Sequence, residues 1–242
     1  MLKACLFDLG NTLSDDTRLL AASLADVAGW LSGRGAIGET EEFVSAYTKV
    51  HESCRAPFIS HTFGELIFFE EAFQRCGVRG VEPSEALAWY RGRIEERTEL
   101  DPEVPAAFAW LRERGLRVGL LSNERTERVD RFLERTRLRP CLDVVVVSEA
   151  VGVQKPDGRI FSIALGRLGA AGSEAAMFGD SEVADGACRT VGMRFVLVKR
   201  FRRAGWGWDE GERFEPDLEV ERVDRRELER VLPLLERGAG RG

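Results

Sequence analysis

Residues 2–9 read LKACLFDL, an apolar run that ends around Asp8 and is followed by Gly10 and Asn11. A short apolar run that stops at turn-forming residues predicts a buried strand leading into a loop. The segment LDVVVV at residues 142–147 is similar, and its lack of alternation is typical of a strand covered on both faces. Further strands are predicted at residues 117–122 (RVGLLS), 175–178 (AAMF), 194–198 (RFVLV) and 218–220 (LEV).

Helices are predicted between these strands. Residues 106–114 have apolar side chains at helical spacing and are followed by Gly115, a residue type that commonly ends helices. Strands that alternate with helices of about 10–15 residues are typical of βαβ units around a parallel sheet. The sequence therefore predicts an α/β fold with a Rossmann-like, doubly wound core. The other helices of this core are predicted at residues 125–137, 157–168, 183–191 and 225–236.

The stretch between residues 16 and 98 has a different pattern. Apolar residues recur there at helical spacing, as in Leu20, Leu24, Val27 and Leu31, and we find no convincing strand. We therefore expect an all-helical insertion after the first strand. The predicted domains are a core formed by residues 1–15 and 99–242, and a helical domain formed by residues 16–98.

The composition argues against several classes of function. The 242 residues include 35 basic and 41 acidic side chains, a net charge of −6, which argues against a nucleic-acid partner. No uncharged apolar stretch of about 18 residues is present, so no membrane span is predicted. The five cysteines are scattered, which is typical of reduced thiols, and the first residues lack a secretory pattern. We therefore expect a cytoplasmic protein.

Polar residues that can carry chemistry follow four of the predicted strands. They are Asp8, Ser122, Lys155 and the pair Asp180 and Asp185. Each alone has an ordinary explanation, such as a turn, a helix cap or a solvated lysine. Together they place an acidic nucleophile, a hydroxyl donor, a cation and a carboxylate pair at one edge of the sheet. Phosphoryl transfer requires this combination.

The order of these residues resembles the haloacid dehalogenase-like (HAD) hydrolase superfamily. Its first motif, a strand followed by Asp-x-Asp-x-Thr, is matched in part by residues 8–12, DLGNT. Its second motif is a strand ending in Ser or Thr, matched by Ser122, and its third is a lysine often followed by proline, matched by Lys155. Its fourth, Gly-Asp-x-x-x-x-Asp, is matched by residues 179–185. The resemblance covers nearly the whole chain, with residues 16–98 in the place of that family's helical, C1-type cap.

The resemblance implies a nucleophile and a cofactor. Asp8 would attack phosphorus and form an aspartyl-phosphate. Mg²⁺ would be bound by Asp8, by the backbone carbonyl of Gly10 and by Asp180. Asp185 would be a further ligand or a residue that orients the ligands.

The other motif residues are implied to hold the phosphoryl group. The hydroxyl of Ser122 and the backbone N–H of Asn123 would donate hydrogen bonds to its oxygens, and Lys155 would offset negative charge. The implied partner is a small phosphorylated metabolite, cleaved as a phosphate monoester. Its identity stays open, as does the choice between a monomer and a homodimer.

Gly10 departs from the family pattern. Phosphatases of the family usually carry a second aspartate there, which protonates the leaving group and later activates water, and such help is worth about 10²–10⁴-fold. The backbone carbonyl persists, so Mg²⁺ binding is expected to survive while acid–base catalysis is in doubt. In a phosphatase the proton would come from solvent, from the leaving group or from another residue, with Asp15, Asp16, Glu182, His51 and His61 as candidates.

Three other functions compete with a phosphatase. Dehalogenases also lack the second aspartate, but they lack the acidic fourth motif, which Asp180 and Asp185 keep, so dehalogenation is disfavoured. Phosphonoacetaldehyde hydrolases lack it too, keep Mg²⁺ and use a cap lysine as a Schiff base, for which Lys49 is the candidate here. The third is a catalytically silent protein that binds a ligand or partner on the same scaffold.

Residues 54–61 (CRAPFISH) are the predicted substrate-facing element of the helical domain.

Overall fold

A computed structural model of the protein describes residues 1–53, 61–202 and 211–238. Six strands in these residues form one parallel sheet in the order β3-β2-β1-β4-β5-β6, which confirms the predicted parallel α/β fold. The strands are β1 (Ala4–Phe7), β2 (Arg117–Ser122), β3 (Val144–Val147), β4 (Ala175–Gly179), β5 (Arg194–Val198) and β6 (Leu218–Val220).

The path of the chain creates a switch point beside β1. The chain moves outward through β2 and β3 and then returns to the other side of β1 as β4. Open parallel sheets bind ligands beyond the carboxyl ends of their strands at such a point. The register aligns Phe7 with both Leu120 and Phe178. The N–H of Asp8 donates to the carbonyl of Phe178 at 2.9 Å, so the residues after β1 and β4 become neighbours.

The α-helices lie largely where the sequence predicts them. The predicted helix at residues 183–191 is wrong in type, because Gly186–Val191 form a 3₁₀-helix. The turn before it is closed by a side chain, since the N–H of Ser181 donates to the carboxylate of Asp185. The α-helices are α1 (Asp16–Gly33), α2 (Thr40–Ser53), α3 (His61–Cys76), α4 (Pro83–Arg97), α5 (Val104–Glu113), α6 (Thr126–Thr136), α7 (Ser148–Val151), α8 (Gly158–Leu168) and α9 (Arg225–Gly238).

Apolar side chains cover both faces of the sheet. Successive side chains of a strand point to opposite faces. On one face the ring of Phe7 lies 4.6 Å from that of Phe108 on α5 and 4.8 Å from that of Phe178, measured between centroids. On the other face Leu6 belongs to a buried cluster that includes Phe161 of α8. This packing fixes β1, and with it the position of the residue that follows.

The described residues fall into two compact units. The core unit comprises residues 1–15, 99–202 and 211–238 and contains the sheet. The helical unit lies within residues 16–98 and contains α1–α4 around an aromatic core in which Phe69 is fully buried. The secondary-structure elements described in that stretch are all helices. Across the described ranges, no helix is both long and apolar enough to cross a membrane.

Candidate active site

Loops at the carboxyl edge of the sheet bring together the residues that the motifs single out. Asp8 follows β1, Ser122 ends β2, and Asp180 follows β4. Lys155 lies between α7 and α8, and Asp185 lies between β4 and the 3₁₀-helix. All are buried except Asp180, which is partly buried. The core unit alone therefore carries this cluster.

Lys155 is the cation of the site. Its Nζ donates to Oδ1 of Asp8 and to Oδ1 of Asp185, both at 2.6 Å. Burial lowers the pKa of Lys155, but the carboxylates of Asp185 and Asp8 outweigh burial, and the pKa lies above its usual value. The residue is only 2% exposed, so it is not the solvated surface lysine that its position alone would allow. It is a fixed positive charge.

The carboxylates of Asp8, Asp180 and Asp185 form an acidic cluster, with one oxygen of each within 4.8 Å of the others. Burial raises the pKa of Asp8 to about 7, with Lys155 opposing the shift and Asp185 adding to it. Burial also raises the pKa of Asp180, and the charges of Asp185 and Asp8 add to this shift. Lys155 offsets one of three negative charges. Hard oxygen ligands with excess negative charge suit Mg²⁺, so the residues present fit a divalent cation.

Gly179 makes room for this cluster. A Cβ atom at that position would overlap the carboxylate of Asp185. The Oδ2 atom of Asp185 also accepts a hydrogen bond from the N–H of Ser181 at 3.1 Å. The glycine of the fourth motif is therefore needed where Asp185 packs against the end of β4.

Asn123 holds Lys155 through a pair of hydrogen bonds that the sequence did not indicate. Its Nδ2 donates to the backbone carbonyl of Lys155, and the N–H of Lys155 donates to its Oδ1, both at 2.8 Å. The role expected for Asn123 concerned only its backbone N–H. The side chain ties the end of β2 to the lysine loop, and so helps to place the Nζ atom.

The loop after β1 supports Asp8. The hydroxyl of Thr12 donates to Oδ2 of Asp8 at 3.3 Å, and the N–H of Leu13 donates to the carbonyl of Leu9 at 2.9 Å. Thr12 occupies the last position of the first motif, which is the signal that identifies it. Gly10 lies in this loop and brings no side chain, so the position of the second aspartate has no acid.

The structure assigns Glu182, one of the candidate proton donors, to an ion-pair network. Its Oε2 lies 2.8 Å from Nη2 of Arg202 and 2.9 Å from Nη1 of Arg213. A carboxylate held by two guanidinium groups is better suited to fixing a loop than to delivering a proton. No motif pointed to Arg202, whose neighbours come from distant parts of the sequence.

The helical unit carries further residues that the sequence offers as a proton donor, a Schiff-base lysine or a contact to substrate, and their surroundings differ. His51 stacks on Tyr47 with 6.4 Å between ring centroids and meets Phe68 edge-on at 5.2 Å. Lys49 is exposed on α2, which does not favour the desolvated amine that Schiff-base chemistry needs. Residues 54–60 of the predicted substrate-facing element, and the side chain of His61, lie outside the part of the chain that the structure describes.

Comparison with known proteins gives consistent matches. The model of the haloacid dehalogenase-like hydrolases matches residues 2–187. The chain is 36% identical to a phosphoserine phosphatase of Thermus thermophilus over 63% of this chain and 59% of that protein, so it spans about three fifths of that relative's length. It is 30% identical to a ribulose-1,5-bisphosphate 5-phosphatase of Halopiger xanaduensis over 81% of this chain and 84% of that protein.

Solved structures show the same architecture. A putative HAD hydrolase of Bacillus subtilis, determined with bound magnesium, has a TM-score of 0.72 to this chain at 19% identity. The match covers 97% of this chain and 98% of that one. A HAD phosphatase of Thermococcus onnurineus matches with a TM-score of 0.64 at 24% identity, over 96% and 98% of the two chains. At these identities the likeness shows the fold.

Proposed function

Because the chain belongs to the haloacid dehalogenase-like hydrolases, we propose that it is a Mg²⁺-dependent phosphatase that cleaves a small phosphate monoester through an aspartyl-phosphate on Asp8. The observation that carries this proposal is the buried Asp8 bonded to Lys155 at the switch point, beside two further carboxylates. The relatives named above are phosphatases of small organic phosphates by name. A cytoplasmic monomer or homodimer, without nucleic-acid or membrane partners, is part of the same proposal.

The first chemical step uses Asp8 as the nucleophile. One of its oxygens attacks phosphorus, the ester P–O bond breaks, and the leaving oxygen departs with the electron pair of that bond. Lys155 favours the ionised form of Asp8, which attack requires, since its Nζ lies 2.6 Å from Oδ1 of Asp8 and opposes the rise in the Asp8 pKa that burial causes. The hydroxyl of Ser122 and the N–H of Asn123 donate to the phosphoryl oxygens. In the second step water attacks phosphorus and the bond to Asp8 breaks. Phosphate is released, and the carboxylate of Asp8 is regenerated.

The acidic cluster would hold Mg²⁺ with the carboxylates of Asp8 and Asp180, the backbone carbonyl of Gly10, and Asp185 as a ligand or an orienting residue. When bound, Mg²⁺ supplies positive charge that lets a phosphate approach these carboxylates. Lys155 and Thr12 fix Asp8 through its two oxygens. Lys155 also holds Asp185, so one side chain orders two carboxylates.

The absence of an acid at Gly10 determines which leaving groups can depart readily. With no acid in that position and Glu182 engaged by two arginines, we propose that the proton comes from solvent or that the leaving group departs unprotonated. Substrates whose leaving groups are weak bases are then favoured. This requirement distinguishes the chain from phosphatases that keep the second aspartate.

The test measures phosphate release from an aryl phosphate and from a panel of sugar and nucleotide phosphates, with and without Mg²⁺. Asp8→Asn is compared with the wild type and with Asp157→Asn. The control removes one carboxylate from an exposed helix cap, where asparagine can still accept the hydrogen bond from the N–H of Arg159. Metal-dependent turnover that is lost in Asp8→Asn and kept in Asp157→Asn supports the proposal.

Other outcomes select among the alternatives. Turnover that persists in Asp8→Asn contradicts the assigned nucleophile. Absence of turnover with Mg²⁺ still bound by calorimetry contradicts the phosphatase and leaves phosphonate chemistry or a silent scaffold. Phosphonoacetaldehyde cleavage that is lost in Lys49→Arg would select the Schiff-base enzyme.

A further inference from the structure

Arg202 contacts the acidic cluster from outside the four motifs. It lies beyond β5, at the edge of the sheet that carries the site. Its Nε donates to the backbone carbonyl of Asp180 at 2.9 Å, and its Nη2 donates to Oε2 of Glu182 at 2.8 Å. One planar guanidinium therefore spans the peptide of a predicted metal ligand and a side chain two residues later. The Arg202 side chain is 21% exposed.

The loop that Arg202 contacts has other ties at its far end. The N–H of Asp185 donates to the carbonyl of Ser181 at 3.0 Å, and the N–H of Ala184 donates to the hydroxyl of Ser181 at 2.9 Å. These bonds order residues 181–185. The bond from Arg202 orders the peptide of Asp180 itself, and it leaves the Asp180 carboxylate available to a cation.

We propose that Arg202 is a positioning residue that fixes the peptide of Asp180, and so sets the direction of the Asp180 carboxylate for Mg²⁺ binding. The inference rests on the proposed function for the metal. Arg is suited to this task because its fork reaches two acceptors in fixed geometry, which a lysine cannot reproduce. Groups that orient metal ligands typically change metal affinity about 10–100-fold when they are removed.

The direction in which Mg²⁺ affinity changes when Arg202 is removed distinguishes a positioning role from a simple effect of its charge. A positive charge close to the site repels Mg²⁺, so removal of Arg202 would tighten Mg²⁺ binding if only charge mattered. If Arg202 positions Asp180, its removal would instead weaken Mg²⁺ binding. Arg213 is the matched control, because its guanidinium binds the same Oε2 of Glu182, whereas Arg202 also donates to the Asp180 carbonyl.

The experiment measures the Mg²⁺ dissociation constant by calorimetry, without substrate, for the wild type, Arg202→Met, Arg202→Lys and Arg213→Met. We expect binding to weaken about tenfold or more in Arg202→Met, and to weaken to a smaller extent in Arg202→Lys, whose charge is unchanged. Arg213→Met should bind Mg²⁺ as the wild type does or more tightly. Thermal unfolding without metal identifies a variant that fails to fold, and Arg202→Lys then carries the test.

Two results overturn the inference in distinguishable ways. Unchanged or tighter binding in both Arg202 variants, with normal binding by the wild type, contradicts the positioning role and leaves the phosphatase intact. A wild type that binds no Mg²⁺ contradicts the metal dependence of the proposed function, and this inference with it. Equal weakening in Arg213→Met would also count against Arg202, since it would show that the Glu182 network alone matters.

Discussion

Two of the ion-pair clusters described in the core unit differ in their balance of charge. In the Asp101 cluster, one carboxylate with a side chain 2% exposed pairs with both Arg200 and Arg222. The Oδ2 atom of Asp101 lies 3.0 Å from Nη1 of Arg200, and its Oδ1 also accepts from the N–H of Glu103 at 3.2 Å. Nε of Arg222 also lies 3.9 Å from Oδ2 of Asp224, so two arginines face two carboxylates there, and the arginines are partly exposed to solvent.

The site cluster, formed by Asp8, Lys155, Asp180 and Asp185, instead has an excess of carboxylates. One buried lysine faces three carboxylates that lie close together. A buried charge without a partner costs free energy, so a fold keeps such a deficit only where something else supplies the missing charge. The comparison teaches that an excess of buried negative charge, rather than the presence of ion pairs, distinguishes the candidate site from a structural cluster.

Removal of the cation from each cluster should give the largest contrast. Lys155→Met leaves three carboxylates without an internal cation and removes a contact to Asp8, the proposed nucleophile, and we expect turnover to fall about 10²–10³-fold. Arg222→Met leaves Asp101 paired with Arg200, so we expect little change in turnover and a loss of about 1 kcal/mol in stability. Steady-state kinetics and thermal unfolding measure both. Equal losses of turnover in the two variants would contradict the distinction between the clusters.

Addition of a carboxylate beside the site cluster sharpens the same comparison. In Gly10→Asp, the new acid stands where family phosphatases carry their acid–base residue, and we expect faster cleavage of esters with strongly basic leaving groups by about 10²-fold. For the wild type, rates across a series of aryl phosphates should depend steeply on the leaving-group pKa, and the variant should flatten this dependence. A shallow slope in the wild type would show that another residue already donates the proton.

A smaller loss of turnover is expected when Lys155 is kept but the hydrogen bonds that hold its backbone are removed. Asn123→Ala deletes both bonds between the Asn123 side chain and the Lys155 backbone, and we expect turnover to fall about tenfold. In the Lys155→Met background the same change should have little further effect, because its action passes through the lysine. Full additivity in this double-mutant cycle would instead mean that the Asn123 side chain acts independently of Lys155.

The strand ends were predictable from the sequence because parallel strands bring their carboxyl ends to one edge. Asp8, Ser122 and Asp180 each stand where an apolar run of the sequence ends, so their place at this edge can be predicted without any knowledge of contacts. The wrong helix type at residues 183–191 has a local cause, because the side chain of Asp185 replaces a backbone partner at Ser181. Periodicity does not register such a replacement.

Contacts between residues distant in the sequence were beyond prediction. Arg202 meets Asp180, and Asn123 meets Lys155, only because β5 and β2 end beside the loops that carry those partners. Periodicity places elements but gives no side-chain direction in loops. The Asp101 cluster is likewise hidden in the sequence, where Arg222 is one of many arginines. The charge balance of each cluster therefore emerges only from the folded chain.

Removal of a carboxylate from each cluster should change stability in opposite directions. Asp101→Asn strips the arginines of their shared partner, and we expect a loss of about 2–3 kcal/mol. Asp180→Asn removes a charge that burial, and then the charges of Asp185 and Asp8, disfavour, as the raised pKa of Asp180 indicates, and we expect the metal-free protein to gain about 1 kcal/mol, a rise in Tm of about 2–4 °C. Mg²⁺ should raise the Tm of the wild type and leave that of Asp180→Asn nearly unchanged.

The pH dependence of the metal-free protein gives an independent check on the cost of burying negative charge at the site. Since the pKa of Asp8 is about 7 in the folded protein and its ordinary value is 3.8, the folded chain binds more protons than the unfolded chain between these values. Stability from this group is therefore present below the lower value and lost as the pH rises through the upper one. Thermal unfolding without metal should show this slope in the wild type and a flatter one in Asp8→Asn. An equal slope in both would show that the charge deficit at the site costs the folded protein nothing.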